Sequence, residues 1–201
     1  MKLQIILLCA GNSKRFGSDN KLLYKINGKR MFEYSVDLSE KLKEYFKDEI
    51  DKIIVVSKYN EVKNYIENKK MVYVENLKSE EGISSSLILG LKEYKKNKSD
   101  YVMFMVCDQP YMKFFTLKNF LENFLNQSKG IGVLSFEERL GNPCVFSNKY
   151  VEELEKLSGD VGGKKIIKRN LDDTYYFEIF DEKELEDIDF LNKILDNNKK
   201  I

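Results

Sequence analysis

The residues able to do chemistry gather at two places in the sequence. The first is the run Ala10-Gly11-Asn12-Ser13-Lys14-Arg15-Phe16-Gly17-Ser18-Asp19-Asn20-Lys21. Two glycines let the backbone turn tightly and present amide groups to an anion. Ser13 adds a hydroxyl donor, and Lys14, Arg15 and Lys21 add positive charge. Fixed donors and cations directly after an apolar run are what a bound triphosphate requires. The run lacks the Gly-Lys-Ser/Thr of a Walker A loop, which argues against a small GTPase-like switch, and it is not a Gly-x-Gly-x-x-Gly dinucleotide turn. The second place is Val106-Cys107-Asp108-Gln109-Pro110, an acidic residue at the end of an apolar stretch that a proline then breaks. A carboxylate there can hold Mg²⁺, which bridges phosphate oxygens. It could equally cap the next helix.

These residues need a scaffold that brings them together. Apolar runs at 3–8, 52–56, 71–74 and 101–106 read as buried strands. Amphipathic stretches at 31–46, 59–68, 84–95 and 115–126 read as helices between and after them. Strand–helix alternation predicts a Rossmann-like, three-layer α/β/α fold around a mostly parallel sheet. In such a sheet the loop after the first strand and the end of the 101–106 strand share one edge. Asn27-Gly28 marks a turn, with a small strand at 22–26. After Gly130, strands at 131–136 and 144–146 flank a loop carrying Gly141-Asn142-Pro143. Ser147 is placed to cap a helix over 149–157, residues 174–180 form a strand, and 190–196 form a last helix.

Composition removes several classes of function. The 201 residues, 42% hydrophobic, suffice for one core, and a single domain over 1–201 is expected, with a nucleotide-binding half at about 1–110 and an acceptor-binding half at about 111–201. Thirty-four basic and 33 acidic residues leave a net charge of +1, which gives no reason to expect a nucleic-acid or membrane-surface partner. There is no histidine, so Ser-His-Asp, Cys-His and His-ligated zinc mechanisms are out. Cys9, Cys107 and Cys144 are scattered through apolar runs, which suits a reducing compartment and a cytoplasmic location. The first apolar run is too short to span a bilayer.

Taken together, the motifs resemble the nucleotidyltransferase superfamily that includes the molybdenum cofactor cytidylyltransferases. The residues that carry the likeness are Leu8-Cys9-Ala10-Gly11-Asn12-Ser13-Lys14-Arg15-Phe16-Gly17 with Asn20-Lys21-Leu22-Leu23, then Gly82-Ile83-Ser84-Ser85-Ser86-Leu87 and Asp108-Gln109-Pro110. Gly141-Asn142-Pro143, Gly159-Asp160-Val161-Gly162 and Asp187-Ile188-Asp189 follow in the same order. Cys107 stands where that family usually has glycine, Cys9 where it often has alanine, and Lys164 near an expected arginine.

The resemblance implies transfer of CMP from CTP to the terminal phosphate of molybdopterin, with loss of pyrophosphate. It assigns the nucleotide to Ala10, Gly11, Ser13, Arg15, Lys21, Ser84, Ser85, Ser86 and Asp108. Arg15, Lys21 and Asp108 take the catalytic roles. Asp108 holds Mg²⁺ with Asp189, or Asp187, as the second carboxylate. Asn142, Pro143, Asp160 and Gly162 shape the acceptor side, and a molybdenum hydroxylase is the partner implied downstream. Guanylyl transfer to molybdopterin, cytidylyl transfer to a sugar or polyol phosphate, and a non-enzymatic cofactor carrier or insertion chaperone are the alternatives. If the first and 101–106 strands are neighbours, the Cys9 and Cys107 thiols lie close together as small core residues.

Overall fold

The structure, a computed structural model, describes residues 1–11, 20–97 and 99–188. Its centre is a sheet of seven strands: β1 (Leu3–Cys9), β4 (Ile50–Ser57), β5 (Val72–Glu75), β6 (Tyr101–Val106), β7 (Ile131–Phe136), β8 (Arg139–Ser147) and β9 (Thr174–Glu178). They lie in the order β5-β4-β1-β6-β8-β7-β9. All pairings are parallel except those of β8, which runs against both β6 and β7. A separate small hairpin, β2 (Lys25–Ile26) with β3 (Lys29–Arg30), turns at Asn27-Gly28.

The central strands are apolar on both faces because helices cover both. Ile5, Leu7, Cys9, Met103, Met105 and Cys107 face one layer. That layer holds α1 (Met31–Tyr45), α2 (Asn60–Ile66) and α4 (Phe114–Leu125), which contribute Phe32, Val36, Leu42, Val62, Phe120 and Phe124. Ile6, Val56, Val102, Phe104 and Cys144 face the opposite layer of α3 (Ile83–Tyr94), α5 (Val151–Leu154) and α6 (Lys164–Ile167). The three-layer α/β/α arrangement read from the sequence is therefore present. Among the described residues no helix is long and apolar enough to cross a membrane.

The chain steps outward from β1 to β4 and β5, then returns to lay β6 on the other flank of β1. Such a reversal opens a crevice at the carboxyl ends of the two central strands, because the crossover helices that lead out of β1 (α1) and into β6 (α3) cover opposite faces. Two local expectations are corrected. Gly141-Asn142-Pro143 is not a loop but part of β8: the turn lies at Glu137, whose φ is 52°. The register against β7 jumps from Val133↔Cys144 to Ser135↔Leu140, so these residues form a bulge, where a proline without an N–H is tolerated. The helix expected over 149–157 is only Val151–Leu154 after a 3-10 turn at Asn148–Tyr150, and the Ser147 hydroxyl makes no capping bond. The helix expected at 190–196 lies outside the described residues.

Candidate active site

Lys21 opens a 3-10 turn, Lys21–Leu23, which the Asn20 carboxamide caps by accepting from the Leu22 N–H at 3.0 Å. The turn aims the ammonium across the crevice, where Nζ donates to Asp108 Oδ2 at 2.7 Å. Leu8 pairs with Val106 in the β1–β6 ladder, so the two residues approach from the ends of adjacent strands. Both sit in a restricted environment, with side chains 11% and 22% exposed. The other carboxylate oxygen of Asp108, Oδ1, is buried and has no hydrogen-bond partner among the described residues. A buried anionic oxygen left open is costly unless something cationic meets it. A hard divalent cation suits it, because such ions take oxygen ligands. Asp108 does not cap a helix: α4 begins at Phe114, with Lys113 in the capping position.

The strand ends are held from several sides. Ser57 Oγ donates to the Cys9 carbonyl at 2.8 Å, and Tyr59 Oη donates to the Gly11 carbonyl at 2.6 Å. The start of the glycine loop is thus pinned by β4 and the residues after it. Ser35 Oγ of α1 donates to the Val106 carbonyl at 3.0 Å. Ile188 N–H donates to the Asp108 carbonyl at 3.0 Å, and Gln109 Nε2 donates to Asp187 Oδ1 at 2.8 Å and to the Leu185 carbonyl at 3.2 Å. The Asp187-Ile188 segment is therefore brought to Asp108 from far along the chain. Ser13, Arg15 and Asp189 lie outside the described residues. Within them, no group of three or more acidic or cysteine side chains could hold a metal, so a cation at Asp108 would draw its remaining ligands from substrate, water or other residues.

Beside the crevice, a cavity of about 520 Å³ opens on the α3 side of the sheet. Its floor is apolar, formed by Leu8, Leu87, Phe104 and Cys144, and its wall carries Asn142, Asp160 and Gly162. Lys164, Lys165 and Lys168 line it as well, giving it a cationic side. Side chains alternate along β8, so Asn142 joins Cys144 on this face while Pro143 turns to the other. There Pro143 lines a small hollow with Ser35, Met105 and Gln109. Of the four residues expected on the acceptor side, three share the cavity and Pro143 does not.

Ser84, Ser85 and Ser86 do open α3, after Gly82 at φ 99°. Their polar groups are engaged within the protein. Asn76 Nδ2 donates to Ser85 Oγ at 3.0 Å and Ser86 Oγ at 2.8 Å, while Ser84 N–H donates to the Gly159 carbonyl at 3.2 Å. A side chain on Gly82 would run into the backbone of Gly159 and Asp160, so a glycine is what lets the 159–162 loop seat on the start of the helix.

Cys107 and Cys144 supply no reactive group. Cys9 and Cys107 are buried neighbours on one face of the sheet. The hydrogen bond that the Cys107 thiol makes to Cys9, then burial, hold Cys107 well above its usual range. Burial pushes Cys144 up to about 12. Thiols held protonated are neither nucleophiles nor metal ligands.

Sequence reading missed the residues that build the site from behind: Ser35, Ser57, Tyr59, Asn76, and the cavity lysines 165 and 168. No local pattern marks a serine or tyrosine that reaches across a sheet edge. Gln109 did carry a signal, its place directly after Asp108.

Comparison with known proteins assigns the chain a family. Residues 5–174 match the family described as the MobA-like NTP transferase domain, and the chain belongs to that family; its class is that of the nucleotidyltransferase enzymes. It is 32% identical over 151 residues to a probable molybdenum cofactor guanylyltransferase of Aquifex aeolicus, which covers 75% of this chain and 66% of that protein. It is 27% identical over 167 residues to the bifunctional protein GlmU of Clostridium kluyveri, covering 83% of this chain but 35% of that one. The chain thus spans less than two thirds of either relative's length. The fold resembles that of Rv0371c from Mycobacterium tuberculosis, with a TM-score of 0.79 over the whole of both chains at 19% identity. For the manganese complex of Rv0371c the TM-score is 0.72, at 18% identity over 89% of each chain.

Proposed function

We propose that the protein is a divalent-cation-dependent nucleotidyltransferase that moves a nucleoside monophosphate, CMP from CTP, onto the terminal phosphate of a molybdopterin-type acceptor and releases pyrophosphate. The observation that carries this reading is the Lys21–Asp108 pair across the ends of β1 and β6, with one buried carboxylate oxygen open. Asp108, with Asp189 as the second carboxylate, would hold Mg²⁺ or Mn²⁺, which when bound neutralises phosphate charge and orients the triphosphate.

The rest falls to the chain's own groups. The acceptor phosphate is already an anion and needs no general base. The task is to bring two polyanions into line and to stabilise charge on the leaving pyrophosphate, which is positioning and electrostatics. Lys21 and Arg15 serve the leaving group, and Ala10, Gly11 and Ser13 cradle the phosphates. Ser84, Ser85 and Ser86 border the nucleoside through the start of α3. The acceptor lies in the neighbouring cavity, its flat apolar part on Phe104 and Leu87 and its charge toward Lys164 and Lys168, with Asn142, Asp160 and Gly162 as the wall. Pro143 contributes by fixing the bulge of β8. On this division the donor is held by residues before about 110, and the polar wall of the acceptor site comes from later ones over a floor that Leu87 and Phe104 supply. The three unbridged cysteines suit the cytoplasm, and a molybdenum hydroxylase would use the product.

A second reading, guanylyl transfer from GTP, is favoured by the name of the Aquifex relative. Incubation with molybdopterin, CTP or GTP, and Mg²⁺, Mn²⁺ or chelator decides between them by mass spectrometry of the dinucleotide formed. The cytidylyl product supports the first reading and the guanylyl product the second. Turnover only with a sugar phosphate overturns both, as does binding of the finished dinucleotide with no turnover at all.

A further inference from the structure

The segment 181–188 crosses the carboxyl end of β6 and is fastened there by three sets of bonds. Lys113 meets it first: its N–H donates to Glu184 Oε2 at 3.1 Å and its ammonium to Asp181 Oδ2 at 2.6 Å. Glu184 is buried despite its charge, which marks this as a built junction rather than a surface contact. Gln109 is next. It is 6% exposed, and its single amide nitrogen serves both the Leu185 carbonyl and Asp187 Oδ1. Last, Ile188, itself fully buried, gives its N–H to the carbonyl of Asp108.

Resting on the reading of Asp108 as the cation-holding carboxylate, we infer that Gln109 and Asp187 are positioning residues: a latch that seats the carboxyl-terminal segment against Asp108. Asp187 then acts as the hydrogen-bond acceptor of the latch and not as a metal ligand. Three observations agree. Asp187 Oδ1 accepts from a neutral amide, a bond that requires an acceptor but no charge. The amide that binds it belongs to the residue next to Asp108, so the two carboxyl groups are tied through adjacent backbone. The Ile188–Asp108 bond fixes the backbone of Asp108 itself, and with it the direction of the carboxylate whose Oδ1 stays open. Outer groups that orient a metal-binding carboxylate typically change metal affinity 10–100-fold when lost.

The inference separates charge from hydrogen bonding, so the test does the same. Mn²⁺ alone is titrated into the full-length protein and followed by electron paramagnetic resonance, for the wild type and for Asp187→Asn, Asp187→Ala, Gln109→Ala and Asp108→Asn. Hydrogen–deuterium exchange of the peptide containing Ile188 is read on the same samples, and a thermal melt confirms that each is folded. Asp187→Asn keeps an acceptor oxygen and is expected to bind Mn²⁺ within about threefold of wild type. Asp187→Ala and Gln109→Ala are expected to lose roughly tenfold or more and to expose the Ile188 amide to faster exchange. Equal losses in Asp187→Asn and Asp187→Ala would make Asp187 a charged ligand and overturn the inference. Unchanged affinity and exchange in Gln109→Ala would overturn it too. Wild-type Mn²⁺ binding in Asp108→Asn would instead sink the underlying reading of the cation site, a result the exchange data keep distinct from failure of the latch.

Discussion

Lys21 holds Oδ2 of Asp108, the carboxylate whose open Oδ1 is offered to a cation, which makes the consequence of removing it calculable. At 2.7 Å and an effective dielectric of about 20, the gross attraction is about 6 kcal/mol. Desolvation consumes most of that, and a charge-assisted hydrogen bond nets about 1.5–3 kcal/mol. Asp108 is 22% exposed, so the lower end applies, about 1.5 kcal/mol. In Lys21→Met this energy is lost from the metal-free protein, leaving a carboxylate with neither oxygen paired to the lysine. A cation on the open oxygen then no longer shares the carboxylate with an ammonium or sits beside that positive charge. Mn²⁺ alone should therefore bind about tenfold more tightly, by the usual 1.4 kcal/mol per decade. The urea midpoint should fall by the same energy. Turnover should drop on the order of 10²–10³-fold, because the charge that serves the transition state is gone. Mn²⁺ titration by electron paramagnetic resonance and pyrophosphate release measure the two effects on one sample. Tighter metal binding beside slower turnover is the expected signature. Unchanged or weaker Mn²⁺ affinity would refute the reasoning, because it would mean that lysine and cation do not contend for one carboxylate.

Three further outcomes are expected. Asp108→Asn should reduce metal-dependent pyrophosphate release at least 10²-fold while circular dichroism stays that of the native fold. Gly82→Ala should destabilise by about 2–3 kcal/mol, from a strained φ and the loss of room for Gly159 and Asp160, and should raise KM for the acceptor; an unchanged melting temperature would show that the 159–162 loop does not depend on that approach. Hydrogen bonding from Lys96, with help from Lys52, holds the Glu93 carboxyl below its usual 4.5. A carboxyl lowered on folding contributes stability above the unfolded value and loses it as pH falls through the folded one. Urea midpoints measured from pH 6 down to 3 should therefore decline below about 4.5, and Glu93→Gln should flatten part of that slope.

The parts of this molecule governed by local pattern were legible in the sequence, and those governed by distant partners were not. Strand β6 was read over its full length because an unbroken apolar run bounded by Asp108 and Pro110 has one reading in an α/β chain. Pairing Gly11 with Asp108 at one sheet edge followed from the parallel topology alone. Gly141-Asn142-Pro143 reads as a loop because glycine, asparagine and proline punctuate chains. The ladders to β6 and β7 on either side overrode that preference and absorbed the extra residues as a bulge. Ser147 suits a cap by its type, yet a 3-10 turn follows it and its hydroxyl makes no capping bond. The Asn76 bridge to Ser85 and Ser86, and the Tyr59 grip on Gly11, depend on where β4 and β5 end in space, which no window of sequence contains.

The bond from Ile188 to Asp108 also bears on the order in which the molecule comes together during synthesis. Strands β1, β4, β5 and β6 can assemble while the later chain is still being made, since their ladders need nothing beyond Val106. The segment that fastens over Asp108 is made well after β6. A chain made only as far as β6 therefore carries the crevice without its fastening, and on the proposed reading nucleotide capture begins once the stretch through Ile188 has been made and folds back.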